Sequence, residues 1–266
     1  MSERISARLA KLAAPMLVAI GCLAMAAGAS ASNEVAYNNL NTVAPTVNGL
    51  PNEDTYSLDY EYFEAGGQVE LANTTGHVAK ALTTQLDNFT CEHGVYSLEN
   101  CYTAKPKHKM SMAWTANIYA VGAENTVGAL LSSSTATFKL HYRPTTNVTC
   151  PATSEGKGFG ANCDVGGLLQ TVTFKHFSPA TPLPSKVIIL LKNACGACEG
   201  KPVNAGLQAS YKEYSGGEFK EEPAANGGVP TVGTDPLPSD VYIVGALNTE
   251  NWTGYQPVFE LTVSHH

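Results

Sequence analysis

This chain predicts an all-β fold, a single β-sandwich of about ten strands with jelly-roll-like connectivity. Three observations lead there. Apolar and polar residues alternate with period two along much of the chain, helical spacing is nearly absent after residue 31, and Gly, Asn and Pro punctuate the extended runs. A closed barrel is the alternative arrangement of the same strands.

Residues 1–31 stand apart. Arg4, Arg8 and Lys11 give a basic start, an apolar run follows from Leu12 to Ala27, and Ala29-Ser30-Ala31 supplies a small-residue cleavage site. That layout is a secretory signal peptide, so an exported, extracellular protein starting near Ser32 is expected, with one domain over 32–266. The run is too short, and too rich in Gly and Ala at its end, for a membrane anchor. Ala19-Ile20-Gly21-Cys22 loosely resembles a lipoprotein cleavage site, which makes lipid anchoring through Cys22 the minor alternative. Ala19 departs from the usual Leu there, and apolar residues continue past Cys22. The mature part holds no transmembrane segment by the same length criterion.

Residues 32–56 are rich in Asn, Pro and Thr and predict an extended passage over the surface. Strands are expected next at 57–63 and 67–72. Val78, Lys80, Leu82, Thr84 and Leu86 then share one face of an extended segment. Strands at 114–121 and 128–136 follow. Phe138, Leu140 and Tyr142 alternate with Lys139, His141 and Arg143, and Val172 and Phe174 alternate with Thr171, Thr173 and Lys175. The unbroken run Val187-Ile188-Ile189-Leu190-Leu191 predicts a central strand covered on both faces. Leu207, Ala209 and Tyr211 mark another strand, a further one falls at 241–246, and Phe259, Leu261 and Val263 close the series. Residues 214–240, with Gly216-Gly217, Pro223, Gly227-Gly228, Pro230, Pro236 and Pro238, read as a long mobile loop, a functional loop being the alternative.

Charge narrows the partners. Charged residues make up only 15%, below the roughly 25% of an average soluble protein, and the net charge is -7. An acidic chain without a Lys/Arg stripe is a poor binder of nucleic acid or anionic membranes. The one basic run, Lys105-Pro106-Lys107-His108-Lys109, contains a proline and reads as a loop.

Of seven cysteines, Cys22 lies in the leader. The other six fall into close pairs, Cys91/Cys101, Cys150/Cys163 and Cys195/Cys198, and in an exported chain such a count reads as disulfides. Six cysteines allow 15 pairings, but the spacing favours bridges between neighbours that staple single loops. Cys195-Gly196-Ala197-Cys198 follows an apolar strand as a redox dithiol would. A reactive first cysteine, however, needs a helix N-terminus to lower its pKa, and Gly200 and Pro202 would break that helix at once. No second Cys-x-x-Cys or histidine pair completes a zinc site.

No cofactor, metal or catalytic constellation is expected. The histidines (His77, His93, His108, His141, His176, His265 and His266) show no helical metal spacing; His141 and His176 fall on separate predicted strands. Gly-x-Ser-x-Gly, EF-hand and phosphate-loop patterns are missing. Asp59 and Glu61 would share a strand face about 7 Å apart, between the two carboxylate spacings of glycosidases. With Glu53, Asp54 and Glu64 they form an acidic stretch that reads first as a solvated face and second as a calcium site. Tyr60 and Tyr62 on the opposite face, with Trp252, are the candidate ligand-binding residues, because aromatic rings stack on the apolar faces of sugars. Trp114 reads as core. Asn73, Asn88, Asn147 and Asn251 head glycosylation sequons, set aside because the leader looks bacterial.

Several short patches carry a resemblance: Tyr37-Asn38-Asn39, Gly66-Gly67-Gln68-Val69, Asn117-Ile118-Tyr119, Tyr142-Arg143-Pro144, Lys186-Val187-Ile188 and Asp235-Pro236-Leu237-Pro238-Ser239-Asp240-Val241-Tyr242. In these the chain resembles a group of uncharacterised secreted β-rich proteins of actinobacteria. The resemblance implies export and one domain; it implies no activity. The expectation is therefore an exported, disulfide-stapled, non-catalytic binding or structural protein, with a glycan or cell-wall polymer as the candidate partner. A carbohydrate-binding module or carbohydrate-active enzyme on a jelly-roll frame is the alternative.

Overall fold

The computed structural model describes residues 32–40, 64–72, 76–88, 90–94, 108–142, 168–194, 227–237, 241–243 and 255–265. It also describes the short extended segments 46–47, 50–51, 57–58, 197–198, 201–202, 205–211, 213–215, 218–220 and 246–248. The principal strands are β1 (Asn33–Leu40), β2 (Glu64–Glu70), β3 (His77–Asn88), β4 (Lys109–Val121), β5 (Val127–His141), β6 (Leu168–Lys175) and β7 (Lys186–Asn193). They continue with β8 (Ala205–Tyr211), β9 (Gly227–Val232), β10 (Val241–Ile243), β11 (Ala246–Asn248), β12 (Tyr255–Pro257) and β13 (Phe259–His265). All their pairings are antiparallel.

The strands form two sheets. The eight-stranded sheet runs β9-β1-β13-β3-β8-β12, with β6 on the other flank of β3 and Ser57–Leu58 beside β8. The six-stranded sheet runs β11-β10-β2-β7-β4-β5. Their inner faces meet in one core. Leu82, Leu86, Phe174, Phe259, Leu261 and Val263 come from the first sheet, and Met110, Met112, Trp114, Ile118, Val187, Ile189 and Leu191 from the second. The fold is thus an all-β sandwich.

Period two explains most of this directly. In β4, Met110, Met112, Trp114, Ala116 and Ile118 point inward and are all buried. The five-residue apolar run of β7 lies between β2 and β4 and is at most 1% exposed at every position. Its odd members fill the main core, while Ile188 and Leu190 form a small second core with Tyr242 on the outer face.

Three expectations are corrected. Asn33–Leu40 is not a surface passage; it is an interior strand, paired with β13 on one side and β9 on the other. Its polar residues disguise it, because they satisfy their own side chains inside the sheet. Asn39 donates through Nδ2 to the Pro257 carbonyl at 3.0 Å and accepts at Oδ1 from Phe259 N–H at 2.7 Å. The 214–240 stretch is not one loop. Gly227–Val232 pairs with β1, and Thr234 exchanges both backbone hydrogen bonds with Glu70, at 2.8 and 2.9 Å. Gly233 there has φ +74, and a Cβ would stand 2.5 Å from the Glu70 carbonyl, so only glycine fits. Finally, Lys80 does not share the face of Leu82 and Leu86. The register between β3 and β13 slips at Thr262/Val263, so Lys80 is the extra residue of a bulge and turns outward while Ala79 takes the core position.

Side-chain and loop bonds lace the two sheets together at their margins. Ser133 and Ser178 exchange backbone hydrogen bonds at 3.0 and 2.9 Å, Ser134 Oγ donates to the Lys175 carbonyl, and His141 N–H donates to Gln170 Oε1 at 2.8 Å. Together they pin β5 beside β6. On the other side Ala72 N–H reaches the Ala36 carbonyl at 2.8 Å. The ladders remain two separate sheets, not a closed barrel.

Candidate functional site

The outer face of the six-stranded sheet carries a set of hydrogen-bonded polar side chains, and its rows follow from strand register. Tyr242, Gly66, Leu190, Asn117 and Ser133 form one cross-strand row. Gln68, Ile188, Tyr119 and Leu130 form the next on one side. Glu64, Lys192, Thr115 and Thr135 form the next on the other. Gly66 is required where it stands, because a Cβ would sit 1.8 Å from the Ile189 carbonyl oxygen.

Tyr242 is fully buried although it points outward. Its hydroxyl donates to the Asn125 carbonyl at 2.6 Å and lies 3.1 Å from Gln68 Oε1. Asn125 belongs to the 3-10 turn Ala123–Asn125 that joins β4 to β5, where Glu124 and Asn125 hold φ of 54° and 58°. Such left-handed values in non-glycine residues cost about 1 kcal/mol or more each. The Tyr242 bond and the packing of Tyr119, Val121 and Val127 against Ile188 and Leu190 keep the turn in place. Tyr119 stays partly exposed. Burial, and next the Glu64 carboxylate, raise its phenol above the ordinary value, so it presents an O–H donor through neutral pH.

Along β4 and β5 the face becomes a hydroxyl ladder. The Thr115 and Thr135 hydroxyls bond each other at 2.8 Å, and Ser133 Oγ donates to Asn117 Oδ1 at 2.7 Å. The outer side of the other sheet repeats the device, with the Thr83 and Thr173 hydroxyls 3.0 Å apart. Such hydroxyls satisfy one another and leave a stretch of small polar side chains between Tyr119 and the β4 start. Among the described residues every Phe, Tyr and Trp ring of established exposure is buried except Tyr119 and Phe138, both partly covered. Comparison with protein-family models, with curated proteins and with solved structures finds no match.

A second polar group sits at the rim near the end of β3. His108 Nδ1 lies 2.5 Å from Glu92 Oε1, and His93 Nε2 lies 3.8 Å from the same oxygen. Both imidazoles are about half exposed, while Glu92 is largely covered. A carboxylate between two imidazoles orients both rings. Even so, no group of three or more His, Cys, Asp or Glu among the described residues is arranged to hold a metal ion. Beside it Asn88 is fully buried, donating through Nδ2 to the His141 carbonyl at 2.7 Å and accepting from Thr90 N–H at 3.0 Å.

The candidates from the sequence fare unevenly. Tyr60, Tyr62, Trp252, Asp59 and Glu61 lie outside the described residues. Glu64 stands on β2, and Trp114 is core, 3% exposed. His141 ends β5, but His176 falls one residue past the end of β6 at φ +60, not on a strand. His141 stands beside Gln170, six residues and about 20 Å along β6 from His176, so the two histidines do not converge. Cys91 is disulfide-bonded; Cys101, Cys150, Cys163 and Cys195 lie outside the described residues, and Cys198 is described by its backbone alone. No helix among the described residues is long and apolar enough to cross a membrane.

Sequence reasoning passed over Tyr119, Asn117, Gln68 and Tyr242 as a group. The signal was present: four of the short patches quoted above meet on this one face. Only register shows that they are neighbours.

Proposed function

We propose that the protein is exported and works outside the cell as a non-catalytic binding or structural β-sandwich. The observation that carries this reading is the hydroxyl-paired outer face of β4 and β5, a surface suited to broad contact more than to turnover. The leader-like residues 1–31, the acidic composition and the resemblance to secreted β-rich actinobacterial proteins support it. Bridges Cys91–Cys101, Cys150–Cys163 and Cys195–Cys198 belong to the same proposal; in the chain-entropy model each contributes up to about 3 kcal/mol by closing a short loop.

A glycan-binding module is the second reading, favoured by Tyr119 and Asn117, which stand two residues apart on the outer side of β4, with the Glu64 carboxylate on the same face acting on the Tyr119 phenol. The test is retention of mature protein on insoluble polysaccharides and purified cell walls. A Tyr119→Ala variant and a Tyr60→Ala/Tyr62→Ala variant run alongside. Retention lost in either variant locates a sugar platform. Retention unaffected by both supports contact through the hydroxyl face, and turnover of a glycan, ester or peptide substrate would overturn the non-catalytic reading.

A further inference from the structure

The end of the β4–β5 hairpin does not simply extend the sheet. β4 pairs with β7 as far as Ala120, which stands opposite Val187. β5 is held from Ser132 onward, by the Ser132 Oγ bond to the Pro179 carbonyl at 2.8 Å and by the Ser133–Ser178 pair. Around those anchors the β4–β5 register shifts twice, between Ile118 and Tyr119 and again between Tyr119 and Val121. Each shift leaves an extra residue on β5, and an extra residue bends the ribbon. Gly128 serves the second bend, because a Cβ there would stand 2.7 Å from the Ala120 carbonyl oxygen.

The bends carry the turn back over the outer face. Tyr242 on β10 lies three strand spacings from β4, about 14 Å, which no tyrosine side chain spans. Its hydroxyl nevertheless bonds the Asn125 carbonyl at 2.6 Å, so the turn has come across to meet it. Beneath the turn, Val121 and Val127 pack against the cluster of Ile188, Leu190 and Tyr242. Ile188 and Leu190 are 0% and 1% exposed although they face away from the main core.

The turn segment is also closed on itself. Val121 pairs with Val127, Gly122 N–H donates to the Thr126 carbonyl at 2.7 Å, and Thr126 N–H donates to the Ala123 carbonyl at 3.0 Å. Ala123, Glu124 and Thr126 are exposed on its far side. The small second core and the Tyr242 hydroxyl bond hold it down.

We infer that residues 121–127 form a hinged flap, latched by Tyr242, that opens while the sandwich stays folded. The hinges are Ala120–Val121 on one strand and Gly128–Ala129 on the other, where the ladder changes register. Opening breaks the latch and lifts Val121 and Val127, but it leaves the β4–β7 ladder and the main core intact. An opening that exposes so little surface costs far less than global unfolding. The inference is independent of what the face binds. With the flap open, the face gains an apolar strip of Ile188 and Leu190 beside Gln68 and Tyr119.

The test is thiol labelling of the full chain, read by peptide mass spectrometry at an introduced cysteine. Ile188→Cys reports from under the flap, and Ile189→Cys, its neighbour on the same strand, reports from the main core. The Ile188→Cys variant should label at least tenfold faster than the Ile189→Cys variant, at a rate that low urea leaves unchanged. Leu190→Cys, on the same outer face, is a second reporter that should behave like Ile188→Cys. Adding Tyr242→Phe should speed labelling of the Ile188→Cys variant about fivefold and leave the Ile189→Cys variant as it was. Equal labelling at the two faces, with the same urea dependence, would overturn the inference. So would a Tyr242→Phe effect that is absent, or that is the same at both positions.

Discussion

Asn39 takes over with its side chain the pairing that the backbone of β12 and β13 lacks around Val258, accepting from one strand residue and donating to another. An Asn39→Ala change would strand a buried N–H and a buried carbonyl at once. At about 1–3 kcal/mol for each of the two unpaired groups, a loss of about 2–6 kcal/mol is expected. Urea unfolding of the two proteins measures it. Asn88 makes a similar closed pair of bonds and is fully buried, although Asn88-Phe89-Thr90 is a formal glycosylation sequon. Folded protein secreted from a glycosylating host should therefore carry no glycan at Asn88, which peptide mass spectrometry reads directly. Tyr37 gives the pH prediction. Burial, and to a lesser degree Asp235, raise its phenol well above the ordinary value. The unfolded chain releases this proton near pH 10 and the folded chain does not, so this contribution is complete below about pH 10 and is lost as pH rises above it. Tyr37→Phe should flatten the fall in urea midpoint above about pH 10, and an unchanged slope would remove Tyr37 from the account. None of these roles is legible in the sequence, where an asparagine or a tyrosine looks the same whether it is paired in a core or wet.

Strands with a strong apolar period were legible, and polar ones were not. Val187-Ile188-Ile189-Leu190-Leu191 announces a two-sided strand because nothing else buries five adjacent apolar residues so economically. β1 and β9 gave no such signal: β1 is covered by pairing with β13 and β9, β9 is held by its pairing with β1, and polar side chains of both are answered locally. The Lys80 bulge was invisible for a different reason, since period-two reading assumes that no residue is inserted into the ladder. Glycines separate along the same line. Gly66→Ala would press a Cβ into the Ile189 carbonyl oxygen, and we expect failure to fold or a loss beyond about 4 kcal/mol. Gly76→Ala meets nothing within 4 Å and bears only the strain of φ +77, about 1–2 kcal/mol. Thermal melts of the pair would test whether close approach or backbone freedom decides. The candidate face was half legible: its patches stood out one by one, and their adjacency belongs to register alone.

Pairing of β1 with β13 makes the fold depend on contacts between opposite ends of the chain. Such topologies fold in milliseconds to seconds, because loop closure is spent before long-range contacts reward it. A chain ending at Val258 would leave β1 and β3 without their shared neighbour, and it should lose the cooperative thermal transition altogether. Retention of that transition would show that the eight-stranded sheet survives without its central strand. The same pairing fixes how the molecule presents itself. Asn33 and His265 leave from one rim, beside His77 at the start of β3, and β3 then runs about 35 Å to the opposite rim at Asn88. Both termini of the sandwich therefore share one rim, as the two ends of a cord share one knot. The rim of Glu92, His93 and His108 lies at the opposite end of β3, beyond Asn88.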